Sequence, residues 1–126
     1  MKTILLVDDD INSLVMMSDV LSRSGYAVLS MTDVESALSV FQEGVGIDLV
    51  IADLLMLRSG GPAFMTALKL MMPDRSVILL TRHGSVDDSV EATSLGAFGY
   101  MTKPVSVGQL RQVIFEAVSH LRRAAL

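Results

Sequence analysis

The stretch Ile47-Asp48-Leu49-Val50-Ile51-Ala52-Asp53 decides the fold. A short apolar run rich in β-branched residues reads as a strand buried on both faces. It ends in a carboxylate. The next residues, Leu54-Leu55-Met56-Leu57-Arg58-Ser59-Gly60-Gly61, read as a loop closed by two glycines. Open α/β sheets bind their ligands beyond the C-terminal ends of such strands. Asp53 is therefore the candidate reactive centre.

Working outward to the N-terminal side, Thr3–Val7 is another continuously apolar strand, stopped by Asp8-Asp9-Asp10. Leu14, Met17, Val20 and Leu21 then recur at helical spacing to about Ser24, and Gly25 suits a helix stop. Residues 26–31 read as a short second strand. Thr32 or Asp33 can cap the next helix, with Glu35 in its first turn and Val34, Ala37, Leu38 and Phe41 on its buried stripe. Gly44 and Gly46 end it.

On the C-terminal side, Pro62 suits the first position of a third helix with apolar Phe64, Met65, Leu68 and Met71. Pro73-Asp74 breaks it. Residues 76–80 form a fourth strand ending at Thr81. Residues 85–95 read as a polar helix with a thin apolar stripe, expected to be the most mobile. Gly96 stops it. Residues 97–101 form the fifth strand, and Lys103-Pro104 follows. The last helix runs from about Ser106 to His120 or beyond, with the clearest 3.6-residue pattern in the chain.

Five strand–helix units without a repeat or linker imply a parallel sheet with right-handed crossovers. Strands one, three and four are the most apolar and should be central. A doubly wound, flavodoxin-like α/β sheet of order 2-1-3-4-5, with helices on both faces, satisfies this. The 126 residues fit one domain over 1–126 with one core. Apolar residues are 51% and charged residues 19%, which excludes a disordered chain. A net charge of -4 argues against direct nucleic-acid binding. The absence of cysteine excludes disulfides, thiolate catalysis and cysteine-bound zinc. The apolar runs are too short for a signal segment or a membrane span.

Each strand end on one edge of this sheet carries a polar group. Strand one supplies Asp8 and Asp9, strand three Asp53, strand four Thr81, and strand five is followed by Lys103. Three carboxylates brought together repel and call for a cation. Magnesium suits a site with few carboxylates and room for water and phosphate oxygens. With Lys103 as a second cation and Thr81 as a hydroxyl donor, the set matches the needs of a phosphoryl group arriving on Asp53.

With these residues in this order, the chain resembles a response-regulator receiver domain, the CheY-like phosphoacceptor of two-component signal transduction. Sheet order 2-1-3-4-5 is that family's own, so its choice above is not an independent deduction. The resemblance implies that Asp8 and Asp9 help hold Mg2+, that Asp53 is phosphorylated, and that Leu55 lends the metal its backbone carbonyl. Thr81 matches the hydroxyl that follows the phosphoryl group, Lys103 the family lysine, and Lys103-Pro104 its cis peptide. Tyr100 matches the aromatic switch. The implied partners are a histidine kinase or phosphotransfer protein, an unidentified downstream effector, and a second copy docked through segment 85–95, the fifth strand and the last helix. The implied location is the cytoplasm. The implied chemistry is self-catalysed phosphotransfer in a phosphorelay, without turnover as an enzyme.

Three positions depart from the family pattern. Leu57 stands where a proline is usual, so the loop after Asp53 is expected to be looser. Arg82 and then His83 follow Thr81, where a small residue is usual, and both are candidate modulators of access. Leu55 is apolar where many relatives place a group that orients water, which suggests slow self-dephosphorylation. Simpler roles stand beside these. Asp8 or Asp10 alone suits a helix N-cap, Tyr100 a half-buried strand tyrosine, His83 and His120 exposed positions, and Arg111, Arg122 and Arg123 a solvated face. The competing functions are a phosphorylation-independent pseudo-receiver, an aspartate-nucleophile phosphatase and a flavin binder. Leu55 stands where such a phosphatase has its second aspartate, and three carboxylates stand where a flavin binder has its phosphate loop.

Overall fold

The computed structural model describes residues 1–71, 76–82, 94 and 96–124, without the side chains of residues 59–62, 65, 71, 76 and 121–124. The expected helix over 85–95, the break at Pro73-Asp74, His83, and the side chains of Arg122 and Arg123 lie outside these described residues.

The strands are β1 (Thr3–Val7), β2 (Ala27–Met31), β3 (Leu49–Asp53), β4 (Ser76–Thr81) and β5 (Gly99–Thr102). The described helices are α1 (Ile11–Arg23), α2 (Val34–Gln42), α3 (Leu54–Met71) and α4 (Val107–Ala124). All pairings are parallel, in the expected order β2-β1-β3-β4-β5. None of the described helices is long and apolar enough to cross a membrane.

The continuous apolar strands make two cores because successive side chains point to opposite faces. Leu5, Val7, Val50, Ala52, Val77 and Leu79 pack with Ala37, Val40 and Phe41 of α2 and Phe64 and Leu68 of α3. Ile4, Leu6, Leu49, Ile51, Ile78 and Leu80 pack on the other face with Leu14, Met17 and Leu21 of α1 and Leu110, Ile114 and Ala117 of α4. Phe64 is fully buried, with its ring centroid 6.4 Å from that of Phe41. Phe64→Ala is expected to cost about 3–5 kcal/mol of stability, read from chemical denaturation, because the cavity cannot collapse fully.

Local signals explain the helix ends. Asp10 caps α1, its carboxylate accepting from the amides of Asn12 and Ser13. Asp33 caps α2 through the Ser36 amide, and its bonds to Ser36 hold its pKa below the ordinary value. Gly25 and Gly44 follow the last turns of these helices at φ +93° and +78°, a region that a side chain disfavours.

Some boundaries differ from the sequence reading. The central strand starts at Leu49, because Asp48 is used in closing the sheet edge: its carboxylate accepts from the Thr3 amide at 2.8 Å. β2 starts at Ala27, and β5 begins two residues later than expected, at Gly99.

The largest correction concerns Gly60-Gly61. The residues after Asp53 form no loop; α3 starts at Leu54 and continues through Gly60, Gly61 and Pro62. Propensity opposes this, by about 1 kcal/mol for each glycine and about 3 kcal/mol for the proline. Burial of Leu54 and Leu57 at helical spacing from Phe64 and Leu68 offsets it, at about 1.5–3 kcal/mol for each leucine. Leu57 is consequently a core residue, 1% exposed, rather than part of a loosened loop controlling access.

Candidate functional site

Strand register builds the site. Val7 pairs with Ala52, so the next residues, Asp8 and Asp53, leave neighbouring strands side by side. Asp53 itself pairs with Leu80, which sets Thr81 one step further out. Thr81 pairs with Thr102, and the Lys103 amide then donates to the Thr81 carbonyl at 2.7 Å. The Lys103-Pro104 peptide is cis.

Asp8, Asp53 and Thr81 are buried polar side chains, whereas Asp9 is exposed. The carboxylates of Asp8, Asp9 and Asp53 each offer an oxygen within 4.8 Å of the others. The Lys103 ammonium lies 2.6 Å from Asp8 Oδ2 and 2.8 Å from Asp53 Oδ2. It bridges two carboxylates that would otherwise repel in a low-dielectric setting. At the N-terminus of α3, the Leu55 amide donates to Asp53 Oδ1 at 2.8 Å. The Thr81 hydroxyl is buried and has no hydrogen-bond partner among the described residues. A buried hydroxyl without a partner is costly, and an oxygen-rich group on Asp53 would remove that cost.

Charge balance in this cluster is uneven. Burial of the Lys103 ammonium pulls its pKa down, but its contacts with Asp53 and Asp8 outweigh that, and the net shift is upward. For Asp8, burial outweighs the Lys103 contact and the Asp10 amide, so its pKa is raised above the ordinary 3.8. A carboxyl with a raised folded pKa stabilises the fold fully below 3.8, and that contribution is lost as pH climbs through the folded value. Ionised Asp8 therefore weighs against the metal-free fold at neutral pH. Asp8→Asn is expected to raise the metal-free thermal midpoint at pH 7 and to remove the part of the stabilisation on acidification that Asp8 contributes. Scanning calorimetry across that pH range checks this; a lower midpoint at pH 7 would contradict it.

The other sequence candidates fall in different places. Asp10 is the α1 cap and lies at the edge of the cluster. Its bonds to Ser13 hold its pKa below the ordinary range. Leu55 brings its amide to the site. Its place in the first turn of α3 keeps its backbone beside the carboxylates. Tyr100 is 42% exposed on β5. His120 is exposed and lies 5.1 Å from the Phe98 ring. Arg82 reaches Asp9 Oδ1 at 3.4 Å and Asp53 Oδ2 at 4.0 Å. Sequence reading marked Arg82 for access but missed Asp9 as its partner; their positions at the ends of β4 and β1 were the available signal.

The sequence model of the response regulator receiver domain matches residues 4–115. The chain belongs to this family. It is 37% identical over 115 residues to the transcriptional regulatory protein GlrR of Escherichia coli (strain K12), covering 91% of this chain and 26% of that protein. It is 34% identical over 119 residues to the transcriptional regulatory protein ZraR of Klebsiella oxytoca, covering 94% of this chain and 27% of that protein. This receiver thus spans about a quarter of the length of these curated relatives. Among solved structures it resembles a response regulator receiver domain protein from Clostridium thermocellum, with TM-score 0.86, 31% identity and full coverage of both chains. It also resembles the beryllofluoride-activated NtrC4 receiver domain dimer, with TM-score 0.86 and 30% identity, covering 96% of this chain and 99% of that one. As a receiver, the chain is a signalling domain of the two-component type. The family binds magnesium at an acidic pocket, and this receiver has an aspartate cluster there.

Proposed function

We propose that residues 1–126 form one receiver domain whose phosphoacceptor is Asp53 and whose donor is a phosphohistidine on a histidine kinase or phosphotransfer protein. The observation that carries this reading is the Lys103 bridge between Asp8 and Asp53 beside the buried Thr81 hydroxyl, which has no partner among the described residues. Asp53 attacks phosphorus through a carboxylate oxygen. The P–O bond forms as the P–N bond of the donor breaks, and the histidine nitrogen takes up a proton. Lys103 offsets charge on the phosphoryl oxygens, and the Thr81 hydroxyl donates to one of them. The Leu55 amide orients Asp53 by holding its other oxygen.

Three clustered carboxylates are a hard-oxygen donor set that fits Mg2+. Asp8, Asp9 and Asp53 would hold the ion, with the Leu55 backbone carbonyl as the further ligand that the resemblance implied. Bound there, the ion supplies charge neutralisation at the phosphoryl oxygens. Apolar Leu55 supports slow self-dephosphorylation, since it cannot orient water.

Phosphorylation then biases a two-state element. Thr81 moves toward the phosphoryl group, Tyr100 turns inward, and the surface of β5, α4 and the preceding segment changes its preference among effectors and a second copy. The setting is the cytoplasm. The complete set of Asp8, Asp9, Asp53, Thr81 and Lys103 weighs against a phosphorylation-independent pseudo-receiver. Intact-protein mass after incubation with acetyl phosphate, with and without Mg2+, tests the proposal. A Mg2+-dependent phosphoryl adduct is expected. Its absence here and with a phosphorylated histidine-kinase domain would favour the pseudo-receiver.

A further inference from the structure

Two cations divide three carboxylates at the sheet edge. Lys103 takes Asp8 and Asp53, while Arg82 takes Asp9. The Arg82 guanidinium lies 3.4 Å from Asp9 Oδ1 and 4.0 Å from Asp53 Oδ2. We infer, on the strength of the metal-site reading above, that Arg82 is a built-in competitor of the divalent cation. It latches onto Asp9 in the metal-free domain and is displaced when the ion binds.

The Asp9 carboxylate is common to both states: the arginine contacts it in one, and the metal needs it in the other. With Arg82 engaged, the three carboxylates face two fixed positive charges, and the attraction for a divalent ion falls accordingly. The latch is reversible because its partners are 45% and 59% exposed, so water can replace the contact at little cost. Its position follows from the chain: Arg82 directly succeeds Thr81 at the end of β4, beside the β3 end that carries Asp53. A small side chain there would leave Asp9 to solvent and to the ion. The consequence is a receiver whose metal loading is set lower than its aspartates alone would give, and which responds to ionic strength.

Calorimetric titration of MgCl2 into the unphosphorylated protein tests this. The comparison is between wild type, Arg82→Ala, Arg82→Lys and, as a control for net charge alone, Arg111→Ala on α4. Arg82→Ala is expected to bind Mg2+ about fivefold more tightly, the upper range for an exposed ion pair. Arg82→Lys should fall between it and wild type, and Arg111→Ala should match wild type. The gain should shrink at high salt, where exposed charges are screened. Equal or weaker binding by Arg82→Ala, or the same gain from Arg111→Ala, would overturn the latch while leaving the metal site intact. No Mg2+ binding by wild type or by Arg82→Ala would overturn both the latch and the metal-site reading.

Discussion

Asp53→Ala is expected to eliminate the Mg2+-dependent phosphoryl adduct, with none detectable by intact mass under conditions that label wild type. Three features of Asp53 suit it to the role. It is buried, its Oδ2 is held by Lys103 at 2.8 Å, and its Oδ1 is held by the Leu55 amide at 2.8 Å. Those contacts orient the carboxylate and supply a cation for the incoming charge. Asp8 shares the lysine and the burial, and its Oδ1 accepts from the Asp10 amide; the place of Asp53 in the family pattern distinguishes the two. Asp9 is too exposed to offer a water-excluded acceptor. Asp53→Asn separates chemistry from folding, since its side-chain oxygen can still accept from Leu55. It should also stay unlabelled while keeping a cooperative unfolding transition. An adduct surviving in either variant would relocate the acceptor.

Lys103→Ala is expected to lower the stability of the metal-free domain by about 3–5 kcal/mol at pH 7, the usual cost of breaking a buried ion pair from one side. Without the ammonium, buried Asp8 loses its cation and buried Asp53 keeps only the Arg82 guanidinium at 4.0 Å. Two dependences distinguish this from a general packing loss. Mg2+ should restore more stability to the variant than to wild type, because it supplies the missing positive charge. Acidification should narrow the gap as Asp8, whose pKa is already raised by burial, protonates. In wild type the lysine's own contribution runs the other way. Its pKa is raised in the fold, so its stabilisation is complete below the ordinary 10.5 and is lost as pH rises through the folded value. Urea denaturation at several pH values, with and without Mg2+, checks both. A loss no larger than that of an exposed pair, about 0–1 kcal/mol, would show that Lys103 is dispensable to the metal-free fold.

Much of the architecture was legible because its causes are local. The apolar runs 3–7, 49–52 and 77–80 announce strands buried on both faces, and the polar residues that end them mark one sheet edge. Asp33 and Gly25 mark helix ends through their own backbone chemistry. The same local reasoning failed after Asp53. Gly60, Gly61 and Pro62 favour a loop, and only the burial of Leu54 and Leu57 against the second layer favours a helix.

The sequence by itself determined which residues stand at the strand ends: an acidic pair, Asp53, Thr81 and Lys103, in an order that identifies the family. Tertiary structure decided which of them touch. Asp8 meets Asp53 because Val7 pairs with Ala52, and Lys103 reaches a carboxylate 50 residues away because β4 carries β5 in register. It also decided that Asp8 is buried while Asp9 is open, and that Arg82 rather than Lys103 takes Asp9. The physical reason is range. Propensity, capping and alternation act over a few residues, whereas burial and Coulomb interaction depend on distances that exist only once distant strands have paired.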